Sequence, residues 1–195
     1  KSAASRHWIK ATAAKITEVR ERDLRKMAFF GLMLDGVCLG DGAVVVIALG
    51  LRATGEKVLL DFEVGASENA VVCTALVARL QRRGFGPPAG SRLLAVLDGA
   101  AALQTAVLTL WPTAVIQRCV VHKERNLFGY LRKGDQAETR RLWRRLRLAQ
   151  GEAAGREALA ALQAFLAPLN AAASASRAEA GDQLIALHQL NVPAT

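Results

Sequence analysis

The sequence predicts an α/β protein (α+β) with a mixed five-stranded sheet: three antiparallel strands, a βαβ arrangement, and then helices alone. Three apolar runs separated by turn sequences predict the antiparallel strands. Helix-like and strand-like segments then alternate, which requires parallel crossover connections. From about Val121 onward no segment is strand-like. With 195 residues, 52% of them hydrophobic, the chain can form a sizeable core.

A helical segment and a β-meander are predicted for the first part of the chain. Residues 3–28 contain helix formers and no Pro or Gly, and they predict one or two helices. Three β-rich runs follow, and the sequences LGDGA and RATGE between them are typical of turns. The predicted strands are residues 29–34, 43–51 and 57–65.

Alternating elements and then helices are predicted for the rest. Residues 67–84 predict a helix with Ser67 as its N-cap and Gly84 at its C-terminal end. A strand (92–97), a short helix (101–111, ended by Pro112) and a strand (114–120) follow. Four helical segments, 122–134, 136–150, 152–169 and 176–190, are punctuated by Gly134, Gly151 and Pro168. This order is compatible with a ribonuclease-H-like sheet, although many α+β folds share parts of it.

Composition narrows the class of protein. The formal net charge is +9 and the isoelectric point about 10.2, which favours a polyanionic partner such as nucleic acid, although a merely soluble basic protein is the alternative. Three widely spaced cysteines do not form a secreted disulfide framework, so we expect a reducing cytoplasm. No apolar run approaches the ~20 residues of a membrane span, and no signal peptide is visible. The chain begins with Lys1 rather than Met, as a piece of a longer protein would.

Two apolar runs far apart in the chain end in Asp-Gly, at Asp35 and at Asp98. If the first and fourth strands are neighbours, both carboxylates lie where a strand leaves the sheet and come close together. Two Mg²⁺ or Mn²⁺ ions would relieve their repulsion. Gly36 and Gly99 would permit a sharp turn and close approach of a DNA backbone. The alternative is that Asp-Gly only marks a turn, as we expect for Asp41.

The motifs LMLDGV, LLAVLDGAAAL and QRCVVHKERN, in this order, resemble the catalytic domain of mutator-type transposases of bacterial insertion sequences. The resemblance spans nearly the whole chain. It implies a ribonuclease-H-like fold with an Asp-Asp-Glu triad and an all-helical insertion before the Glu. It assigns Asp35 and Asp98 as the first two acids and as metal ligands. It also matches Cys119 and His122 to the Cys-x-x-His signature of the family.

The resemblance also implies a domain organisation. Residues 1–28 form a helical segment at the end of a DNA-binding region, 29–132 the catalytic core, and 133–195 the helical insertion. SAASRHWIK is either the remnant of a recognition helix or an ordinary amphipathic helix. The third acid is expected beyond Thr195, so the fragment alone is expected to be inactive. The glutamates set aside because their sequence context differs are Glu124, Glu138, Glu152, Glu157 and Glu179.

Cys119 and His122 have a spacing that is also found in metal sites. A structural zinc ion normally needs four ligands, and the remaining histidines, His7 and His188, have no paired spacing. Following the resemblance, we expect His122 near the catalytic pocket, within reach of a phosphate or an aspartate. We expect Cys119 to be a small buried residue at the strand end.

The run RKGDQAETRRLWRRLR is the most basic part of the chain. On a helix its arginines align in pairs four residues apart, with Trp143 and Leu146 on the opposite apolar stripe. The cations could contact DNA phosphates, although a solvated arginine face with a core Trp is the alternative. The candidate DNA-binding residues are Arg140, Arg141, Arg144, Arg145 and Arg147.

Taken together, the sequence predicts part of a DNA transposase that acts with two Mg²⁺ or Mn²⁺ ions. The partners expected are the terminal repeats of the insertion sequence, target DNA and further copies of the same chain, in the bacterial cytoplasm at the nucleoid and without a membrane. Two alternatives stay open. One is a ribonuclease-H-like nuclease or resolvase, and the other is a degenerate remnant that only binds nucleic acid.

Overall fold

A computed structural model describes residues 3–40, 42–65 and 69–190. Five strands are described: β1 (Gly31–Gly40), β2 (Ala43–Leu51), β3 (Lys57–Gly65), β4 (Leu94–Leu97) and β5 (Val115–Arg118). The described helices are α1 (Ala3–Glu21), α2 (Ala70–Arg82), α3 (Ala101–Leu110), α4 (Val120–Gly129), α5 (Gln136–Arg147), α6 (Gly151–Leu169), α7 (Ala171–Ala180) and α8 (Ala186–Gln189). Short 3₁₀ turns occupy Lys133–Asp135 and Gly181–Leu184. None of the helices in these ranges is long and apolar enough to cross a membrane.

The sheet confirms the predicted mixed five-stranded arrangement. Its strand order is β3-β2-β1-β4-β5, and β2 pairs antiparallel with both β1 and β3. The predicted limits of β2 and β3 are correct to the residue, because turn sequences bound both strands. The prediction for β1 was wrong, since the strand continues from Leu34 to Gly40. β2 offers backbone partners over its whole length, and an early end of β1 would leave those groups unpaired.

The chain divides into two compact units. The first unit contains residues 1–95 and 100–114, and the second contains residues 96–99 and 115–195. In the first unit, α2 buries Cys73, Leu76, Val77 and Leu80, the spacing of one face of a helix. Its N-cap is Asn69, whose side chain accepts a hydrogen bond from the Val72 N–H at 3.0 Å. The predicted cap, Ser67, lies outside the described residues.

A buried carboxylate joins three elements of the first unit. Asp61 on β3 has no exposed surface. Its carboxylate contacts Arg79 Nε of α2 at 2.8 Å, Nη1 of Arg83, the C-cap residue directly after α2, at 2.9 Å, and Arg20 Nε of α1 at 3.7 Å. Because a buried carboxylate is costly unless it is paired, these contacts hold α1 and α2 against the sheet.

Helices supply most of the second unit. α5 buries Thr139, Leu142, Trp143 and Leu146 against α6, which buries Leu159, Leu162 and Leu166 among others. The last predicted helix, 176–190, is instead α7, a 3₁₀ turn and α8. Gly181, with a φ of 50°, ends α7. Pro168 occupies the last turn of α6.

Candidate active site

Asp35 lies within β1, opposite Ile47 of β2, and is half-buried. The expectation that it sits where the strand leaves the sheet was wrong, because β1 continues beyond it. Gly36 pairs with Val46 and forms no turn. Leu34 is buried in the core, and since successive side chains of a strand point to opposite faces, Asp35 is on the other face of the sheet.

Asp98 directly follows β4, as predicted, and is half-buried. The sheet order places β4 beside β1, and the Leu94 N–H donates to the Phe30 carbonyl at 3.1 Å. The prediction that the two strands bearing the acids are neighbours is therefore confirmed. Asp35 belongs to the first unit and Asp98 to the second.

The backbone around Asp98 is fitted to Arg118, the last residue of β5. Arg118 Nη1 donates to the Asp98 carbonyl at 3.4 Å. Gly99 has a φ of 111°, and a Cβ at this position would lie 1.3 Å from Arg118 Nη1. The missing side chain of Gly99 thus admits a guanidinium, whereas the sequence suggested that it admits DNA.

A charged cluster within the second unit consists of Arg118, Lys123 and Glu179, with Ser176 beside it. Glu179 Oε1 accepts a hydrogen bond from Arg118 Nη2, and Glu179 Oε2 accepts one from Lys123 Nζ at 2.8 Å. Lys123 Nζ also lies 3.3 Å from the Ser176 hydroxyl oxygen. The hydrogen bond from Lys123, followed by that from Arg118 and by both charges, lowers the pKa of the Glu179 carboxyl, and partial burial opposes this effect.

Cys119 and His122 lie at the start of α4, next to this cluster in sequence. Cys119 is the N-cap of α4, and its N–H donates to the Leu97 carbonyl at 2.6 Å. It is half-buried, so the expectation of a buried cysteine was wrong; as a helix N-cap it stands at the junction between strand and helix. His122 is also half-buried. In the part of the chain that the structure describes, no three His, Cys, Asp or Glu side chains are placed to hold a metal ion.

The predicted arginine helix is α5, and its apolar stripe faces the core as expected. Arg141 pairs with Glu138 at 2.6 Å, and Arg145 pairs with Glu157 at 2.5 Å. The Arg140 guanidinium lies 4.7 Å from the centre of the Phe128 ring. Part of the arginine face is therefore already engaged by carboxylates.

An open cleft of about 340 Å³ lies beside α5. Three arginines line it, Arg140, Arg144 and Arg147, together with Glu124, Trp143 and Leu148. The Trp143 indole N–H is buried and has no hydrogen-bond partner within the described ranges. Arg144 and Arg147 thus lie where an anionic ligand could reach both.

Comparison with known families decides the assignment. The sequence pattern that defines the family described as "Transposase, Mutator family" matches residues 2–193. The chain belongs to this family. In this Mutator-family chain the match includes Asp35 and Asp98, the Cys-x-x-His pair and the five strands that the structure describes.

Curated relatives agree with this assignment. The transposase for insertion sequence element IS905 of Lactococcus lactis subsp. lactis (strain IL1403) is 32% identical over 134 residues, which are 66% of this chain and 33% of the relative. That for IS1201 of Lactobacillus helveticus is 33% identical over 92 residues, 47% of this chain and 24% of the relative. The transposase for IS6120 of Mycolicibacterium smegmatis is 32% identical over 117 residues, which are 57% of this chain and 35% of the relative. The Mutator-family chain thus spans about a third or less of the length of these relatives.

Sequence reasoning missed the charged cluster. Lys123 precedes Leu127 by one helical turn, so both residues lie on the buried face of α4. A buried lysine normally requires a carboxylate partner, and this spacing is the signal that could have revealed the cluster. That signal does not identify the partner, because Glu179 is 56 residues away in sequence. Glu179 had been set aside because its sequence context differs from that of the family's third acid.

Proposed function

We propose that this chain is the catalytic region of a DNA transposase that moves a bacterial insertion sequence and has a ribonuclease-H-like core. The observation that carries the proposal is that two aspartates, on β1 and directly after β4, belong to strands that are neighbours in the sheet. The family match and the three antiparallel strands at one side of the sheet support it. The division into residues 1–28, 29–132 and 133–195 remains part of the proposal.

Asp35 and Asp98 would hold the two Mg²⁺ or Mn²⁺ ions. Both are half-buried carboxylates, and hard divalent cations prefer oxygen ligands. Mg²⁺ is usually held by one or two carboxylates together with substrate phosphates, so an acid pair suits it even without a larger ligand group. Bound ions of this kind activate an attacking water and stabilise the leaving oxygen of a phosphodiester.

The reaction has two steps that share one site. Hydrolysis of a phosphodiester at the end of the element frees a 3′-hydroxyl, and this hydroxyl then attacks target DNA by in-line displacement. The chain's own contribution is to fix the acids. β1 holds Asp35 through its pairing with β2, and Arg118 holds the backbone at Asp98 and Gly99. Residues fixed in this way need little reorganisation when DNA binds.

We propose that the arginines of α5 contact DNA. The basic composition of this helix and the arginine-lined cleft beside it support the proposal. Arg144 and Arg147 are the strongest members of the set, since Arg141 and Arg145 are paired with glutamates. Cys119 and His122 would line the catalytic pocket. The protein would act as a homo-oligomer on two DNA ends, in the bacterial cytoplasm and on the nucleoid.

A cleavage and strand-transfer assay tests the proposal in a protein of the relatives' length that contains this chain. Asp35→Ala and Asp98→Ala should each abolish cleavage of DNA carrying the ends of the element while DNA binding is retained. Asp23→Ala, which removes an exposed aspartate paired with Arg25, is the control. Retained cleavage in either active-site variant would refute the assigned roles. Cleavage without strand transfer would favour the nuclease or resolvase alternative, and DNA binding without either reaction would favour the remnant.

A further inference from the structure

The cluster of Arg118, Lys123 and Glu179 places two buried cations beneath one exposed carboxylate. The side chain of Arg118 is 8% exposed and that of Lys123 is 5% exposed, whereas that of Glu179 is 55% exposed. The carboxylate therefore occupies the solvent side of the cluster. An anion that replaced it could approach from solvent without opening the core.

The cluster around Asp61 has the opposite arrangement, so buried cations beneath an exposed carboxylate are not general to the ion pairs of this chain. There the carboxylate is fully buried, and the arginines around it are 11% to 38% exposed. That geometry suits a structural anchor, because the costly carboxylate is enclosed. In the Arg118 cluster the order is reversed, with the cations enclosed and the anion outside.

The net charge of the cluster and an unused hydrogen-bond donor both allow it to bind an anion. Two cations and one carboxylate carry a net positive charge. The buried Arg118 Nε has no hydrogen-bond partner within the described residues, so the guanidinium has a donor to spare. Buried unpaired donors of a charged group are costly, and an added oxyanion would remove that cost.

The contacts of Glu179 resemble those of a phosphate. One carboxylate oxygen accepts from Arg118 and the other from Lys123. The two non-bridging oxygens of a phosphodiester could accept from the same pair, and Arg and Lys are the usual phosphate-binding side chains. Glu179 also lies in the last turn of α7, where the helix dipole disfavours a negative charge. The carboxylate is thus held by the cations rather than by its own helix.

We propose that Arg118 and Lys123 form a binding site for a DNA backbone phosphate beside Asp98, and that Glu179 occupies this site until DNA displaces it. The inference rests on the proposed function and extends it, because it names a phosphate contact next to a catalytic acid and a carboxylate that competes for it. The Asp98 carbonyl, held by Arg118, would keep the bound phosphate close to the acid.

Glu179→Gln tests the inference, with Glu56→Gln as a matched control. Glu56 pairs with Arg52, and its side chain is 54% exposed against 55% for Glu179, so the control makes the same change of charge at a carboxylate of similar exposure whose cation is not buried. Affinity for duplex DNA is measured over a series of salt concentrations. Because a competing carboxylate is removed, Glu179→Gln should tighten DNA binding about fivefold or more relative to the control. The slope of log K against log salt should steepen by about 0.9, the value for one added phosphate contact.

A second arm uses inorganic phosphate and does not depend on DNA. Phosphate should raise the unfolding midpoint of Glu179→Gln more than that of the wild type or of Glu56→Gln, since ligands that bind the native state stabilise it. Glu179→Asp keeps the charge and shortens the side chain, so its DNA affinity should lie between wild type and Glu179→Gln. This variant keeps the test decisive if Glu179→Gln does not fold.

Each outcome separates the inference from the proposed function. DNA affinity of Glu179→Gln equal to that of Glu56→Gln, with wild type still binding DNA, overturns the inference and leaves the function intact. If phosphate stabilises Glu179→Gln but DNA binding is not tighter, the ligand of the site is free phosphate, and the inference that it binds a DNA backbone phosphate is overturned. Stabilisation by phosphate in a protein that does not bind DNA at all supports the anion site and counts against the function. Lost stability that phosphate does not restore identifies a purely structural ion pair and overturns the inference.

Discussion

At the scale of single residues, Gly99 and Arg118 depend on one another. The guanidinium occupies the space in which any other residue at position 99 would carry its Cβ, and the φ of 111° is one that residues with side chains rarely adopt. The position of Asp98 therefore depends on two residues that are not among the proposed metal ligands. Sequence alone predicted a need for glycine here, but it assigned the space to DNA.

Gly99→Ala is expected to destabilise the protein by about 2 kcal/mol, because the substitution combines backbone strain with displacement of Arg118. Urea unfolding measures the effect. Gly134→Ala is the control, since a Cβ there meets nothing within 4 Å. Its free energy of unfolding should change by less than about 0.5 kcal/mol. Equal effects of the two substitutions would contradict the packing described for Gly99.

Glu179 should make stability depend on pH. Its pKa is lowered in the folded state, mainly by the hydrogen bond from Lys123. The stabilisation is therefore present above the ordinary pKa of a glutamate, about 4.3, and is lost as the pH falls through the lower folded value. The difference in unfolding free energy between wild type and Glu179→Gln should shrink as the pH falls from 6 towards 3. A difference that is constant or grows on acidification would contradict the ion pairs.

At the scale of elements, the sequence predicted what local signals determine. β2 and β3 are bounded by turn residues, and both were predicted to the residue. β1 was predicted too short, because Asp35-Gly36 has the local signature of a turn whereas the pairing with β2 depends on residues that come later in the chain. Side-chain networks such as the one around Asp61 join three elements and leave no periodic trace in the sequence.

Asp61→Asn should destabilise the first unit strongly, by about 3 kcal/mol, because it leaves partly buried guanidinium groups without their carboxylate. Chemical denaturation followed by circular dichroism measures the change. Glu138→Gln, which breaks an exposed pair with Arg141 within α5, should change the free energy of unfolding far less, because water screens the pair. If both variants lose equally little, Asp61 does not anchor α1 and α2.

The arginines of α5 should differ in their effect on DNA. Arg144→Gln and Arg147→Gln should each weaken DNA binding and lower the salt slope by about one, since both line the basic cleft. Arg141→Gln should have a smaller effect, because Arg141 is paired with Glu138. Arg156→Gln, on α6 and paired with Glu152 and Asp182, is the control. Binding that responds equally to all four substitutions would indicate a diffuse effect of net charge.

At the scale of the whole molecule, strand order was the most predictable feature of the candidate site. A meander followed by crossover connections allows few arrangements, and one of them places β1 beside β4. The family followed from three short motifs in order, and the match over residues 2–193 agrees with it. Contacts between residues far apart in sequence were not predictable. Arg118 and Glu179 are 61 residues apart, and nothing in either local sequence indicates the other.

The central claim, that Asp35 and Asp98 are ligands of catalytic divalent ions, is tested most directly by changing the softness of the ligand. In a protein of the relatives' length, Asp35→Cys and Asp98→Cys should each lose at least about a thousandfold of the Mg²⁺-dependent cleavage of DNA, because a thiolate binds a hard cation poorly. A thiophilic ion such as Cd²⁺ should restore part of that cleavage in the cysteine variants and not in Asp35→Ala or Asp98→Ala. If either cysteine variant still cleaved DNA in Mg²⁺, the account would be contradicted. It would also be contradicted if no thiophilic ion restored cleavage in either cysteine variant.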